Sequence, residues 1–272
     1  MQASQTSFKG YLNLKSRIIA NCKIELFEPL HVGKGRDPAN SSILQMIKDA
    51  SGRPLIPGST IRGCLRALLT RLLSPLEGKP IGIGGQTITI HKVACPKIEE
   101  KEIDLEQGGS STPGAIDLLF GFTSKKQSFA SPLKITDAEI HRESVSYSRT
   151  HVSIDLDRDA AKRGMLVTVE SVPGGTRDSP TTFKFKIIYD YLDDQAMVEA
   201  HKVFLILINM LNKGIDTFIG GWKSRGYGHV LIKIEEMYEH PIDKIVTGEK
   251  PTQIQNVSDW ISQEITALGG EE

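Results

Sequence analysis

Cysteine is scarce in this chain: only Cys22, Cys64 and Cys95 occur, an odd number with no two at CxxC spacing. That excludes a disulfide framework and a cysteine-built zinc site, and it fits a reducing compartment. Long apolar runs are also missing, and no stretch reaches the roughly 20 residues that span a bilayer. The opening residues, MQASQTSFKGYLNLKSR, hold no apolar core of signal-peptide length. The expectation is a cytoplasmic protein with no membrane partner. Net charge is absent too, with 33 Lys/Arg against 33 Asp/Glu, which alone argues against a nucleic-acid partner. Its distribution argues the other way. Residues 1–75 carry 11 Lys/Arg and 4 Asp/Glu, a balance of +7, while residues 234–272 carry 2 Lys and 9 Asp/Glu, a balance of −7. A basic head of this kind suits phosphates, whose condensed counterions it would release. Two ordinary solvated surfaces would give the same asymmetry.

What is present reads as a soluble globular chain of 272 residues, long enough to bury a core. Residues 17–28 alternate apolar and polar, with Cys22, Ile24 and Leu26 set against Lys23 and Glu25, and predict a half-buried strand. PLHVGKGRDPANSS is then a loop, followed by a short strand over Ile43–Ile47 and a turn at 50–54. LIPGSTIRG opens a helix capped by Ser59 or Thr60, with Ile61, Leu65, Leu68, Leu69 and Leu72 as its apolar stripe and Pro75 as its stop. Arg62 and Arg66 share one flank of that stripe. Residues 76–114 are Gly-rich and then acidic, and are expected to be an extended or partly mobile insertion. A short buried element at 118–122, a basic loop at 123–131 and a strand at 132–140 follow. Residues 141–163 suggest a long hairpin. Strands are predicted at 165–169 and 183–188, and a second helix over 194–213 ends at Gly214. A Gly-rich loop leads into a last strand, and 240–272 is an acidic tail with a helix near Trp260. The order strand, helix, strands, helix, strand is the split βαβ, ferredoxin-like arrangement of an α+β fold.

Two segments carry candidate chemistry. In Gly220-Gly221-Trp222-Lys223-Ser224-Arg225-Gly226-Tyr227-Gly228 the glycines open the backbone to a ligand, Lys223 and Arg225 supply charge, and Trp222 and Tyr227 offer rings to bases. Arg225-Gly226-Tyr227-Gly228 before a strand also echoes an RNA-recognition (RRM-like) pattern. The competing reading is a tight turn whose aromatics are core. The second segment couples Leu30-His31-Val32-Gly33-Lys34-Gly35-Arg36 to Ile56-Pro57-Gly58-Ser59-Thr60-Ile61-Arg62-Gly63. Glycines, cations and a helix start together suit phosphate. GKGR lacks the Walker A frame, so nucleotide hydrolysis is rejected. A lone His31 is more often a structural hydrogen-bonding residue.

LHVGKG coupled to GRPLIPGSTIRGCLR resembles the N-terminal signature of the RAMP proteins that form the backbone of type III CRISPR (Csm/Cmr-like) complexes. ITDAEI, THVSIDLDRDAAKRGMLVTVESVPGGTRDSPTTFKFKI and FIGGWKSRGYGHVLI fit the same family in order, over most of residues 20–235. The resemblance implies a ferredoxin-like palm across residues 1–240 with a helical insertion, a β-hairpin thumb around 141–163 and the acidic tail at 241–272. It implies subunits stacked along a guide RNA (crRNA), with complementary target RNA, other RAMP backbone subunits, a large polymerase/cyclase-like subunit and small helical subunits as partners. Residue by residue, His31, Gly33 and Gly35 match the first Gly-rich loop. Ser59, Arg62 and Arg66 match the helix that meets guide phosphates, and Gly220, Gly221, Arg225, Gly226 and Gly228 match the C-terminal loop. Asp155 matches a position near target contacts, with Arg149 and Arg158 beside it on the hairpin.

Members that cut target RNA carry an aspartate just before the strand leading to the IPGS segment. Alignment on Ile47-Lys48-Asp49 places Ile43 there, and Asp37 is a few residues upstream. Asp37 is the catalytic candidate as base or metal ligand, though an Asp-Pro turn explains it as well. Three readings follow: an RNA-holding subunit without chemistry and needing no cofactor; a target-RNA endoribonuclease using Asp37 with Mg2+ or Mn2+; or a guide-processing endonuclease using His31 or another histidine.

Overall fold

In the computed structural model the described residues are 10–35, 43–103, 105, 111–141, 146–155, 157–176 and 178–269, without the side chains of 163 and 164. The chain opens with β1 (Leu14–Leu26), whose even-numbered residues from Ser16 to Leu26 point inward as the alternation predicts. Short strands β2 (Ile43–Leu44) and β3 (Leu55–Ile56) lead to α1 (Gly58–Leu73). The buried stripe of α1 is Ile61, Leu65, Leu69 and Leu73; Leu72 is exposed, a correction to the predicted stripe by one position. Each of these four buried side chains contributes about 1.5–3 kcal/mol. The predicted side-chain cap is also corrected. Neither Ser59 nor Thr60 caps α1; the N–H of Gly58 instead donates to the Asp137 carboxylate at 2.7 Å, from 79 residues away.

The insertion holds a hairpin of β4 (Pro80–Ile83) and β5 (Gln86–Thr89), with Ile83, Ile88, Ile90 and Val93 buried. Its helical content among the described residues is one 3-10 turn, Ile98–Glu100, beyond the turn that ends α1. A buried helix, α2 (Ala115–Phe120), follows. A small hairpin pairs β6 (Phe122–Thr123) with β7 (Ser128–Phe129). The strand expected at 132–140 is two, β8 (Leu133–Ile135) and β9 (Ala138–Ile140), both paired with a later strand. The interruption between them, Thr136-Asp137, is what frees Asp137 to cap α1.

The hairpin is β10 (Tyr147–Asp155) with β11 (Ala160–Ser171), longer at its second strand than the sequence indicated. Then come β12 (Thr181–Leu192) and α3 (Val198–Lys213), buried around most of its circumference. The chain continues through β13 (Ile215–Phe218) and β14 (His229–Pro241). It finishes with α4 (Ile242–Thr247), β15 (Thr252–Gln253) and α5 (Val257–Ala267). Trp260, Ile261 and Ile265 of α5 are buried, and α5 packs on α3 and β5.

The main sheet runs β13-β14-β1-β12-β9-β3, with every long neighbour antiparallel. With α1 after β1 and α3 after β12, this is the β-α-β-β-α-β connectivity the element order predicts. The other face of the sheet is a lattice of charges: Lys23–Glu25 at 2.8 Å, Lys184–Glu235 at 3.1 Å and Arg17–Asp190 at 2.7 Å. The outward positions of β1 and β12 are therefore not an aromatic platform of the RRM kind.

Candidate nucleic-acid interface

Both Gly-rich segments come together. The N–H of Gly228 donates to the Pro29 carbonyl at 2.7 Å, and that of Gly221 to the His31 carbonyl at 2.9 Å. Gly220 has φ +81, and a Cβ there would lie 2.3 Å from the His31 carbonyl oxygen, so the close approach requires glycine. His31 is buried, and its Nδ1 lies 2.6 Å from the Glu170 carbonyl, which can only accept. The Nδ1 proton is thus committed, and His31 is a strut between loop and hairpin. The Glu170 carboxylate accepts from Lys48 Nζ at 2.6 Å, Ser146 Oγ at 2.7 Å and the Met46 N–H at 3.0 Å. Its partial burial works to raise its pKa, but these donors outweigh that and hold it below the usual carboxylate value.

Beside this joint lies an open groove of about 410 Å³. Gly33, Gly220, Gly221 and Lys223 line it on the loop side, and Thr60, Gly63, Cys64 and Ala67 of α1 on the other. The α1 residues fall at helical spacing on one face, and all are small or short. The groove is thus shaped by missing side chains, with Lys223 as its cation.

Arg62 and Arg66 turn away from this groove. Arg66 pairs with Asp117 of α2 at 3.0 Å, and Asp117 is 2% exposed and also accepts from the Cys95 and Gly114 N–H groups. Arg62 donates to the Phe120 carbonyl and lies over that ring. Sequence spacing placed both arginines on one flank correctly, but the flank faces α2. Ser59 is exposed at the start of α1. Lys34 and Gly35 are exposed beyond the loop joint; Arg36 and Asp37 lie outside the described residues.

The hairpin is exposed on both faces along most of its length, with Val152, Ile154, Met165 and Leu166 at 50–62% exposure. Arg149 and Arg158 are exposed, while Asp155 accepts from the Asp157 N–H at 3.1 Å and so shapes the turn. At its base the hairpin meets the C-terminal loop. His151 Nε2 lies 2.8 Å from the Tyr227 hydroxyl, and its ring stacks on Trp222 with centroids 4.9 Å apart. Arg225 covers the Trp222 ring at 4.5 Å. Tyr227 is fully buried, so the ring offered to a base is core, as the competing turn reading held. Trp222 is half-buried and its backbone sits in the left-handed region, φ +61. Gly226 stays exposed at the loop's tip.

Sequence reasoning missed His151. The available signal was its position two residues after Arg149 in a polar strand, which puts both on one face. Lys34, Lys223, Arg149 and Arg225 form no ion pair with a described residue. Among the described residues no group of three His, Cys, Asp or Glu could hold a metal ion, and no helix is long and apolar enough to cross a membrane.

A family model described as the RAMP superfamily matches residues 23–230. The CRISPR system Cms endoribonuclease Csm3 of Methanocaldococcus jannaschii is 26% identical over 239 residues, covering 84% of this chain and 86% of its own. Its namesake from Enterococcus italicus is 25% identical, covering 82% and 92%. The CRISPR system Cms protein Csm5 of Mycobacterium tuberculosis is 32% identical over 89 residues, 30% of this chain and 24% of its own.

Proposed function

We propose, from the premise that this chain belongs to the RAMP superfamily, that it is a guide-RNA-holding backbone subunit of a type III CRISPR effector complex. Similarity to Csm3 proteins over most of both chains supports membership of such a complex. The observation that carries the finer reading is the groove between the joined Gly-rich loops and α1. Backbone amides, small side chains and Lys223 accept a phosphate chain of any sequence, which is what a holder of arbitrary guides must do. The hairpin above it, polar at Arg149 and Arg158 and apolar at Val152 and Leu166, suits a guide–target duplex passing beside it. Other RAMP subunits and the remaining Csm proteins are its proposed partners. Arg62 and Arg66 have a different part in this reading: they lock α2 to α1 and so support the groove wall. The test is sequencing of the RNA that copurifies with the native complex. A uniform set of guide-length RNAs is expected, and Lys223→Glu should deplete them; RNA content unchanged by that variant overturns the groove assignment.

A second reading has its own support, since both Csm3 relatives are named as endoribonucleases. It makes Asp37 the catalytic group, with Mg2+ or Mn2+ as cofactor. The described residues do not by themselves supply a metal-binding set, so no step through a metal is derived. Ile43, at the aligned position, has neither a proton acceptor nor a ligand atom, which favours the holding role. Asp37→Ala in the assembled complex decides: loss of one target cut with RNA retention intact establishes the nuclease, and an unchanged cleavage pattern overturns Asp37 as its catalytic group.

A further inference from the structure

The meeting of hairpin and C-terminal loop brings together charges that neither segment would gather alone. Arg149 and His151 share one face of β10, two residues apart. The loop contributes Trp222, Arg225 and Tyr227. The Tyr227 hydroxyl is the pivot: His151 Nε2 lies 2.8 Å from it, and the Arg149 charge acts on both groups. When the ring is neutral the hydroxyl can donate to Nε2, which leaves its lone pairs open to a cation. That chain needs a neutral imidazole protonated on Nδ1. Burial first, then Arg149 and Arg225, depress the pKa of His151, in keeping with the neutral form. Arg225 lies flat on Trp222, and Trp222 stacks on the same imidazole, at 4.5 and 4.9 Å. Two guanidiniums thus act on one ring, and neither forms an ion pair with a described residue. Among the described residues no carboxylate offsets their mutual repulsion, and planar forks of this kind match a phosphodiester.

We propose that Arg149 of the hairpin and Arg225 of the loop form a single phosphate site, with His151 as the positioning residue that holds them in register. The proposal rests on the RNA reading for the source of that phosphate, which is a backbone phosphate of a bound strand. It makes the hairpin a clamp across the strand and not only a projection beside it.

The test is a double-mutant cycle on a labelled oligouridylate, read by fluorescence anisotropy across salt concentrations. Arg149→Gln and Arg225→Gln should each weaken binding roughly tenfold, as expected for loss of a charged hydrogen bond, and should lower the salt slope by about 0.7. The double variant should lose far less than the product of the two, because one phosphate serves both. His151→Ala should lose as much as either arginine variant, while His151→Gln, whose side-chain oxygen accepts from Tyr227, should recover part of the binding. A second readout is independent of RNA: pyrophosphate should shift the His151 ring resonances in the wild type and not in Arg225→Gln. Effects of the two arginine variants that multiply, or full binding in every variant, overturn the phosphate site and leave the RNA reading standing. Failure of the wild type to bind oligouridylate overturns the RNA reading, and the pyrophosphate shifts then decide the site alone, their absence overturning it.

Discussion

At the scale of single residues, the molecule separates cations that hold the fold from cations with no ion pair to a described residue. Arg66 shows the difference. Its carboxylate partner is buried and held by two backbone N–H groups, so removing the guanidinium leaves a charge uncompensated away from water. Arg66→Ala should therefore destabilise the protein by about 1–3 kcal/mol in urea denaturation, whereas Lys223→Ala should leave stability within about 0.5 kcal/mol. Equal, small effects from both would return Arg66 to the list of free cations. Asp137 acts in the same way without an arginine: Asp137→Ala should cost about 1 kcal/mol by uncapping α1. None of this was legible in the sequence. Helical spacing correctly put Arg62 and Arg66 on a common flank, but what a flank faces is decided by Asp117, 51 residues on, and no local pattern encodes that distance.

At the scale of elements, α5 is docked through a buried histidine. His201 of α3 stacks on Tyr191 with ring centroids 4.0 Å apart, and its Nε2 meets Glu264 of α5 at 3.2 Å. Burial depresses the His201 pKa, against a smaller opposing pull from Glu264. In the unfolded chain the ring titrates near pH ~6.5, so between that value and its lower folded value the unfolded state binds more protons. Stability is then full above about pH 6.5 and falls as the pH drops below it. His201→Phe, which keeps the ring but cannot titrate, should flatten this part of the profile when Tm is followed from about pH 7.5 to 5.5; a profile as steep as the wild type's would exclude His201 as its source. The long elements β1, β12 and α3 were readable because their period-2 or helical patterns run over many residues. The hairpin β4–β5 was not, because Gly82, Gly84 and Gly85 break its alternation and Ile83 and Ile88 gain their meaning only from distant contacts.

At the scale of the whole molecule, a sheet with one helix-covered face and one ion-paired face carries the groove at the end where its loops meet. The hairpin adds little to the core beyond its base, where Val169 and Ser171 are buried. Replacing the outer part, residues 153–164, by a two-residue turn should leave Tm within about 2 °C, a shift that corresponds to about 1 kcal/mol for a chain this size. The same variant should lose guide–target duplex binding while it keeps single-stranded RNA, as measured on the reassembled complex. Loss of both, with the fold intact by circular dichroism, would mean that the hairpin builds the groove and does not only overlie it. The order of elements was enough to anticipate the sheet connectivity, because strand and helix succession leaves few ways to pair. It was not enough to say which side of the sheet is free, since the lattice around Lys23, Glu25, Lys184 and Glu235 joins three strands remote in sequence.

Trp222 connects these scales. A side chain in the left-handed backbone region costs on the order of 1–2 kcal/mol, and its stack on His151 returns a comparable ~0.5–1.5 kcal/mol. The C-terminal loop thus holds a strained backbone position against the hairpin, with Arg225 on the other contact of the same ring. Removing the His151 ring should therefore let Trp222 leave that conformation, a change its indole resonance would report.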